Sequence, residues 1–168
     1  METENSGAFW TFSVTFYKSA DVQAACLDLQ DNFGADVNVA LFMLFQGSLG
    51  HVLAKVDVDR IDAEIAAWRD QVIRPLRHMR RLLKAGQVSV TPEAQENFRN
   101  ALKALELASE KTQQFHMEGL ETTSGPSKSA RLAARANLET YARTINIDND
   151  NPPLTVLLAR FDNLYGTT

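Results

Sequence analysis

From Val39 to Phe45 every side chain is apolar (Val-Ala-Leu-Phe-Met-Leu-Phe). A helix through this run is apolar on all sides, so it must be enclosed by other helices rather than laid on a surface. Taken from Ala35 to Gln46 the segment spans roughly 16 Å at about 1.5 Å per residue, about half the thickness of a bilayer core, so a transmembrane reading fails on length. It is expected to be a central core helix. Asp36 and Asn38 fall at its first turn, which places ionisable and amide groups at the entrance of an otherwise apolar rod.

A chain of 168 residues that is 45% apolar is long enough for one globular domain with a real core, with room for a short appendage. Its net charge of -4 argues against a general nucleic-acid surface, which is normally strongly basic. The opening Met-Glu-Thr-Glu-Asn-Ser-Gly is acidic and polar where a signal peptide is basic and then apolar, so export is not expected and the cytoplasm is the default. Cys26 is the only cysteine, which excludes an internal disulfide and leaves too few thiolates for a metal cage. It sits in an apolar stripe and reads as an inert small hydrophobe.

Taken in order, Phe9, Trp10, Phe12, Phe16 and Tyr17 recur at helical spacing behind Ser6, a candidate N-cap. They are either core or the lining of a pocket. A second helix follows Ser19, with the stripe Val22, Ala25, Cys26, Leu29 and Phe33, and ends at Gly34. Asp36 caps the third. Asp57 or Asp59 is expected to cap a long fourth helix whose seam is Ile61, Ile65, Trp68, Val72, Leu76, Met79 and Leu83, kinked just before Pro75 and closed by Ala85-Gly86. Thr91-Pro92-Glu93 is a strong start for a fifth, with the expected seam Phe98, Leu102, Leu105, Ala108 and Thr112 and with Glu106, Glu110 and Gln113 on one flank. Residues 121–129 have linker composition, Ala130 to Ile145 reads as a helix, Asn146 to Pro153 as a loop, and Leu154, Leu157, Leu158, Phe161, Leu164 and Tyr165 form a last apolar stripe.

The basic residues are not scattered. Arg69, Arg77, Arg80 and Lys84 each follow a seam residue by one step and share a flank, while Arg74 points outward toward Asp70 at i,i+4. If the hairpin of the fourth and fifth helices is regular, Glu106 and Glu110 lie level with Gln71 and Ala67, nearest Arg69 and Arg74, and Arg77 and Arg80 need another partner. Two are open: the internal carboxylates Asp36, Glu106 or Glu110, or an external anion in a pocket walled by Trp10, Tyr17 and Trp68. The loop from Asn146 to Asn151 has the alternating oxygens of a calcium loop but lacks its turn glycine and closing glutamate. His51, His78 and His116 stand too far apart to suggest a metal site, and no cofactor-binding motif is present.

Several blocks together resemble the bacterial family known as domain of unknown function 2390. They are Phe9-Trp10-x-Phe12 with Tyr17; Cys26-Leu27-x-Leu29-Gln30; Gly34-Ala35-Asp36-Val37-Asn38; Trp68 with Val72; Pro75-Leu76-Arg77-x-x-Arg80-Arg81-Leu82-Leu83-Lys84; and Glu106-Leu107-x-x-Glu110 with Gln113. The resemblance runs from Phe9 to His116 and implies a small, mainly helical cytoplasmic protein of proteobacteria, with no activity to carry over. Phe42 and Phe45 stand where the family pattern leads one to expect tryptophans.

The expected architecture is an all-α bundle of about six to seven helices around the buried third helix, with a core domain over 1–120, a linker over 121–129 and a helical extension over 130–168 packed on the core or on a partner. The leading functional expectation is a non-enzymatic binding or adaptor domain, docking a second copy or another protein through its C-terminal helix. The alternatives are a small anionic ligand, phosphate or carboxylate, held at Asp36, Asn38, Arg77 and Arg80, and an enzyme using Asp36, Glu106 or Glu110 as acid or base. No metal, cofactor or membrane is implied.

Overall fold

The computed structural model describes residues 7–85, 89–125 and 128–166. The fold is all-α. Its elements are α1 (Ala8–Phe16), α2 (Ala20–Phe33), α3 (Val37–Ser48), α4 (Lys55–Trp68), a π-helical turn (Arg69–Ile73), α5 (Arg74–Ala85), α6 (Pro92–Glu118), α7 (Ala130–Thr144) and α8 (Pro152–Tyr165). Because α4, the π turn and α5 run on as one rod, the described residues form seven rods. No helix among them is long and apolar enough to cross a membrane.

The centre is α3, whose residues from Asn38 to Gly47 are all buried. Its principal neighbour is α7, with α1, α2 and α6 closing other sides. Phe9 of α1 meets Phe42 edge-on at 5.1 Å and stacks on Phe45 at 5.3 Å, geometries that add to the area these rings bury. The aromatics of α1 thus divide: Phe9, Phe12 and Phe16 enter the core, while Trp10 and Tyr17 remain partly exposed on another face. The stripe of α8 (Leu154, Leu157, Leu158, Phe161) is buried on the protein's own core, against α2 and α7.

Several helix ends differ from expectation for identifiable reasons. Ser6 and Gly86, assigned as start and stop signals, lie outside the described residues. The first amides of α1 are satisfied from a distance: Ala8 N and Phe9 N donate to the Glu118 carboxylate at 3.0 and 3.3 Å. Neither Asp57 nor Asp59 caps α4, which starts at Lys55 behind Ala54. The Asp57 carboxylate is taken by the amide (3.1 Å) and hydroxyl of Thr123, so it ties down the segment before α7. Asp59 bonds Lys55 at 2.6 Å and Thr144 at 2.8 Å.

Just before Pro75, where a kink is expected, the helix widens into the π turn. Pro75 has no amide to return to the preceding turn, and the wider turn absorbs the missing bond. One extra residue per turn also swings the seam by about 100°. Ile61 and Ile65 are buried as expected, but beyond the turn Ile73 replaces Val72, and Met79 is exposed. The seam of α6 is corrected more thoroughly. Of Phe98, Leu102, Leu105, Ala108 and Thr112 only Leu102 is buried; the inward face is Leu102, Glu106, Ser109, Gln113, Gln114 and Met117. A polar face turns inward because the neighbouring helices supply the partners described next.

Candidate functional site

A cavity of about 420 Å³ opens among α1, the head of α3, the π turn and α6. Its apolar wall is Trp10, Val14, Tyr17, Leu41, Ile73 and Leu107. Of the site residues expected from sequence, Trp10, Tyr17, Asp36, Asn38, Arg77 and Glu110 line it together; Arg80, Glu106 and Trp68 do not. Trp68 instead gives its indole N–H to Ser109 O at 3.1 Å, joining α4 to α6. Ser13, Arg69 and Gln114 also line the cavity and were missed. The signal for Ser13 is a polar residue four after Phe9 and three before Phe16, on the face those rings share; for Gln114 it is the glutamine pair it forms with Gln113.

Asp36 is built into the fold at several points. Its Oδ1 accepts from Asn38 N at 2.9 Å, the N-cap that the sequence proposes for α3. Its Oδ2 accepts from Gln113 Nε2 at 2.9 Å and faces Arg69 Nη1 at 3.6 Å. The Tyr141 hydroxyl accepts from Asp36 N at 2.9 Å, and burial holds its pKa far above the usual phenol range. Next to it, Asn38 Oδ1 accepts from Gln114 Nε2 at 2.8 Å. The apolar rod therefore keeps a polar entrance because α6 and α7 bring hydrogen-bonding side chains to it.

Arg77 donates through Nε to Glu106 at 3.0 Å and through Nη2 to Glu110 Oε1 at 2.8 Å; Arg80 holds Glu106 with Nε at 2.5 Å and Nη2 at 3.2 Å. Arg69 goes to Asp62 at 2.7 Å, and Arg74 to Asp70 at 2.8 Å. The internal carboxylates are thus the partners of Arg77 and Arg80, Asp36 is not among them, and the level-by-level register is corrected. Gln95 reaches Leu83 O, so the backbones of α5 and α6 do run antiparallel close to that register. Side chains, however, lean toward the N-terminus of their own helix. In an antiparallel pair Arg77 and Glu106 lean toward each other and close the gap of roughly 9 Å implied by their residue numbers.

The two glutamates differ. Burial alone would raise the Glu106 carboxyl, but the hydrogen bonds of Arg80 and Arg77 outweigh it and hold the group below the usual range. For Glu110 burial dominates, Arg77 opposes it, and the neighbouring Glu106 and Asp36 reinforce it, so its pKa is raised. Burial chiefly, with Cys26 and Glu110 adding, pushes Tyr17 up to about 12. Burial pushes the Cys26 thiol up to about 12 as well, so it stays protonated. Ser13 and Gln114 belong to the lining, but Ser13 Oγ and Gln114 Oε1 themselves are closed off within the protein and have no hydrogen-bond partner. Among the described residues no group of three or more His, Cys, Asp or Glu is placed to hold a metal ion.

Neither curated proteins nor solved structures give a match to this chain. Residues 8–117 do match a family, and that stretch carries α1 through most of α6 and every residue that lines the cavity. The match spans more than half of the chain, which therefore belongs to the family described as protein of unknown function (DUF2390).

Proposed function

We propose that the protein is a binding domain for a small organic molecule, held in the α1–α3–α6 cavity with its apolar part against Trp10, Tyr17, Leu41 and Leu107. The observation that carries this reading is the cavity itself, a mostly apolar wall to which the head of α3 and the inward face of α6 bring the polar side chains Asp36, Asn38, Glu110 and Gln114. A π-helical turn supplying Arg69 and Ile73 to the same wall agrees with it, because such turns concentrate at functional sites. A volume of this order suits a small ligand with a few convergent polar groups around an apolar body.

The test is a ligand-observed NMR screen of aromatic and aliphatic fragments bearing cationic, anionic and neutral heads, followed by amide chemical-shift mapping. Hits should move the resonances of Trp10, Ser13, Tyr17 and Gln114. They should be lost in Val14→Trp, which fills the cavity from an exposed wall position. If no fragment moves these resonances, the binding reading fails.

A further inference from the structure

The α5–α6 hairpin is the least enclosed part of the fold. No residue of α5 from Arg74 to Lys84 is buried, and from Pro92 to Leu105 of α6 only Leu102 is. Along the outside of α6 runs an exposed stripe, Ala94, Phe98, Ala101, Leu105, Ala108 and Thr112, in which Phe98 is 59% and Leu105 57% exposed. Four of the six belong to the seam that spacing predicts to face inward. The periodicity of a buried helix is therefore present on a face that the single chain leaves in solvent.

Its steps alternate between four residues and three, the repeat of a coiled-coil seam. Large and small side chains alternate with them: Phe98 and Leu105 stand at one heptad position, Ala94, Ala101 and Ala108 at the other. No charged residue lies in the stripe, nor at Asn97 and Ala104 on its flank. Such a stripe is complementary to itself run backwards. About a two-fold axis midway between Ala101 and Leu105, Leu105 meets the partner's Ala101, Phe98 meets the partner's Ala108 and Thr112 meets the partner's Ala94. Each large side chain then fills the space over a small one.

We propose that α6 is the seam of a homodimer, packed antiparallel on α6 of a second copy. A two-fold contact of this kind is isologous, so one stripe supplies both halves. The other candidate helix, α8, buries its stripe on the protein's own core. Leu107 and Glu110, which line the cavity, lie about 200° and 140° round α6 from Leu105, so pairing leaves the cavity open.

The experiment is sedimentation equilibrium of the full chain over a concentration series, with far-ultraviolet circular dichroism as the check on folding. Wild type should reach the mass of a dimer. Leu105→Glu, at a position exposed in the single chain, should weaken dimerisation at least about a hundredfold with helical content unchanged, because it sets a charge from each copy in the seam. If that variant does not fold, Ala101→Glu carries the same expectation. A short bis-maleimide reads the orientation. It should link Ala104→Cys chains in pairs and leave Asn97→Cys chains unlinked, since antiparallel pairing sets the two copies of position 97 about 18 Å apart along the axis. The native Cys26 is buried and takes no part. A wild type that is monomeric at every concentration would overturn the proposal and leave the face to a different protein. An undiminished dimer in the glutamate variant, linkage at position 97, or no linkage at position 104 would overturn it as well.

Discussion

Asp36 Oδ2 faces Arg69 Nη1 at 3.6 Å, whereas Arg77 and Arg80 both turn to Glu106. The carboxylate at the entrance of α3 is therefore coupled to the π turn and not to α5. Asp36 is buried, caps α3 and accepts from Gln113. Asp36→Ala should lower the unfolding free energy by about 3 kcal/mol, since it removes a cap, leaves the buried Gln113 amide without its acceptor and takes one of three carboxylates from Arg69. In double-mutant cycles read by urea unfolding, Asp36 should couple with Arg69 by about 1 kcal/mol and be additive with Arg80 to within about 0.5 kcal/mol. Strong coupling to Arg80 would contradict this geometry.

Much of the fold is legible in the sequence because it follows from local rules. The apolar run Val39–Phe45, the Gly34 stop and the Thr91-Pro92 start each settle one element with no help from the rest of the chain. The site was legible only in part. Asp36, Asn38, Arg77 and Glu110 stand out by residue type, but their partners are set by side-chain lean and by a one-residue π insertion, which residue spacing does not encode. The polar inward face of α6 is invisible to hydrophobic periodicity for the same reason: Glu106 and Gln113 are buried by what Arg77, Arg80 and Asp36 offer them.

The opposite shifts of Glu106 and Glu110 give opposite pH dependences. A carboxyl held below its unfolded pKa contributes stability that is present above that unfolded value and lost as pH falls through the folded one. Glu106 is of this kind, so Glu106→Gln should cost roughly 2 to 3 kcal/mol at pH 7 and flatten the acid limb of the stability profile. A carboxyl raised on folding does the reverse: stability falls as pH rises from the ordinary glutamate value through the folded one. Glu110 is of this kind. Glu110→Gln should be as stable as wild type at pH 7 or more so, with that decline abolished. Guanidinium unfolding at pH 3 to 8 checks both signs.

Gly47 sets the distance between α3 and α7. A Cβ built there would stand 2.6 Å from Ala134 Cβ and closer still to the Ala134 backbone. That backbone belongs to a helix and cannot yield as a flexible side chain does. Gly47→Ala should therefore destabilise by about 3 kcal/mol, at the upper end of overpacking costs, although alanine is the better helix former. A thermal melt that shows no loss would mean that α7 does not lie against α3 at this spacing.

Asn137 gives the clearest test of how residues beyond the family match are joined to the core. It is fully buried in α7, and its side chain serves three backbone groups. Oδ1 accepts from Leu53 N at 2.8 Å, while Nδ2 donates to His51 O at 2.8 Å and to Met43 O at 3.2 Å. These bonds fix the α3–α4 connection onto α7. Asn137→Ala takes the acceptor from the buried Leu53 N and a donor from His51 O, and should cost about 3 to 4 kcal/mol. Asn137→Asp keeps the acceptor for Leu53 but sets a carboxylate oxygen against the His51 and Met43 carbonyls, so it should be no better than alanine at neutral pH. Hydrogen exchange of Leu53 N separates the two: protection should fall sharply in Asn137→Ala and survive in part in Asn137→Asp. Retained protection in both would show that the connection is held by other contacts.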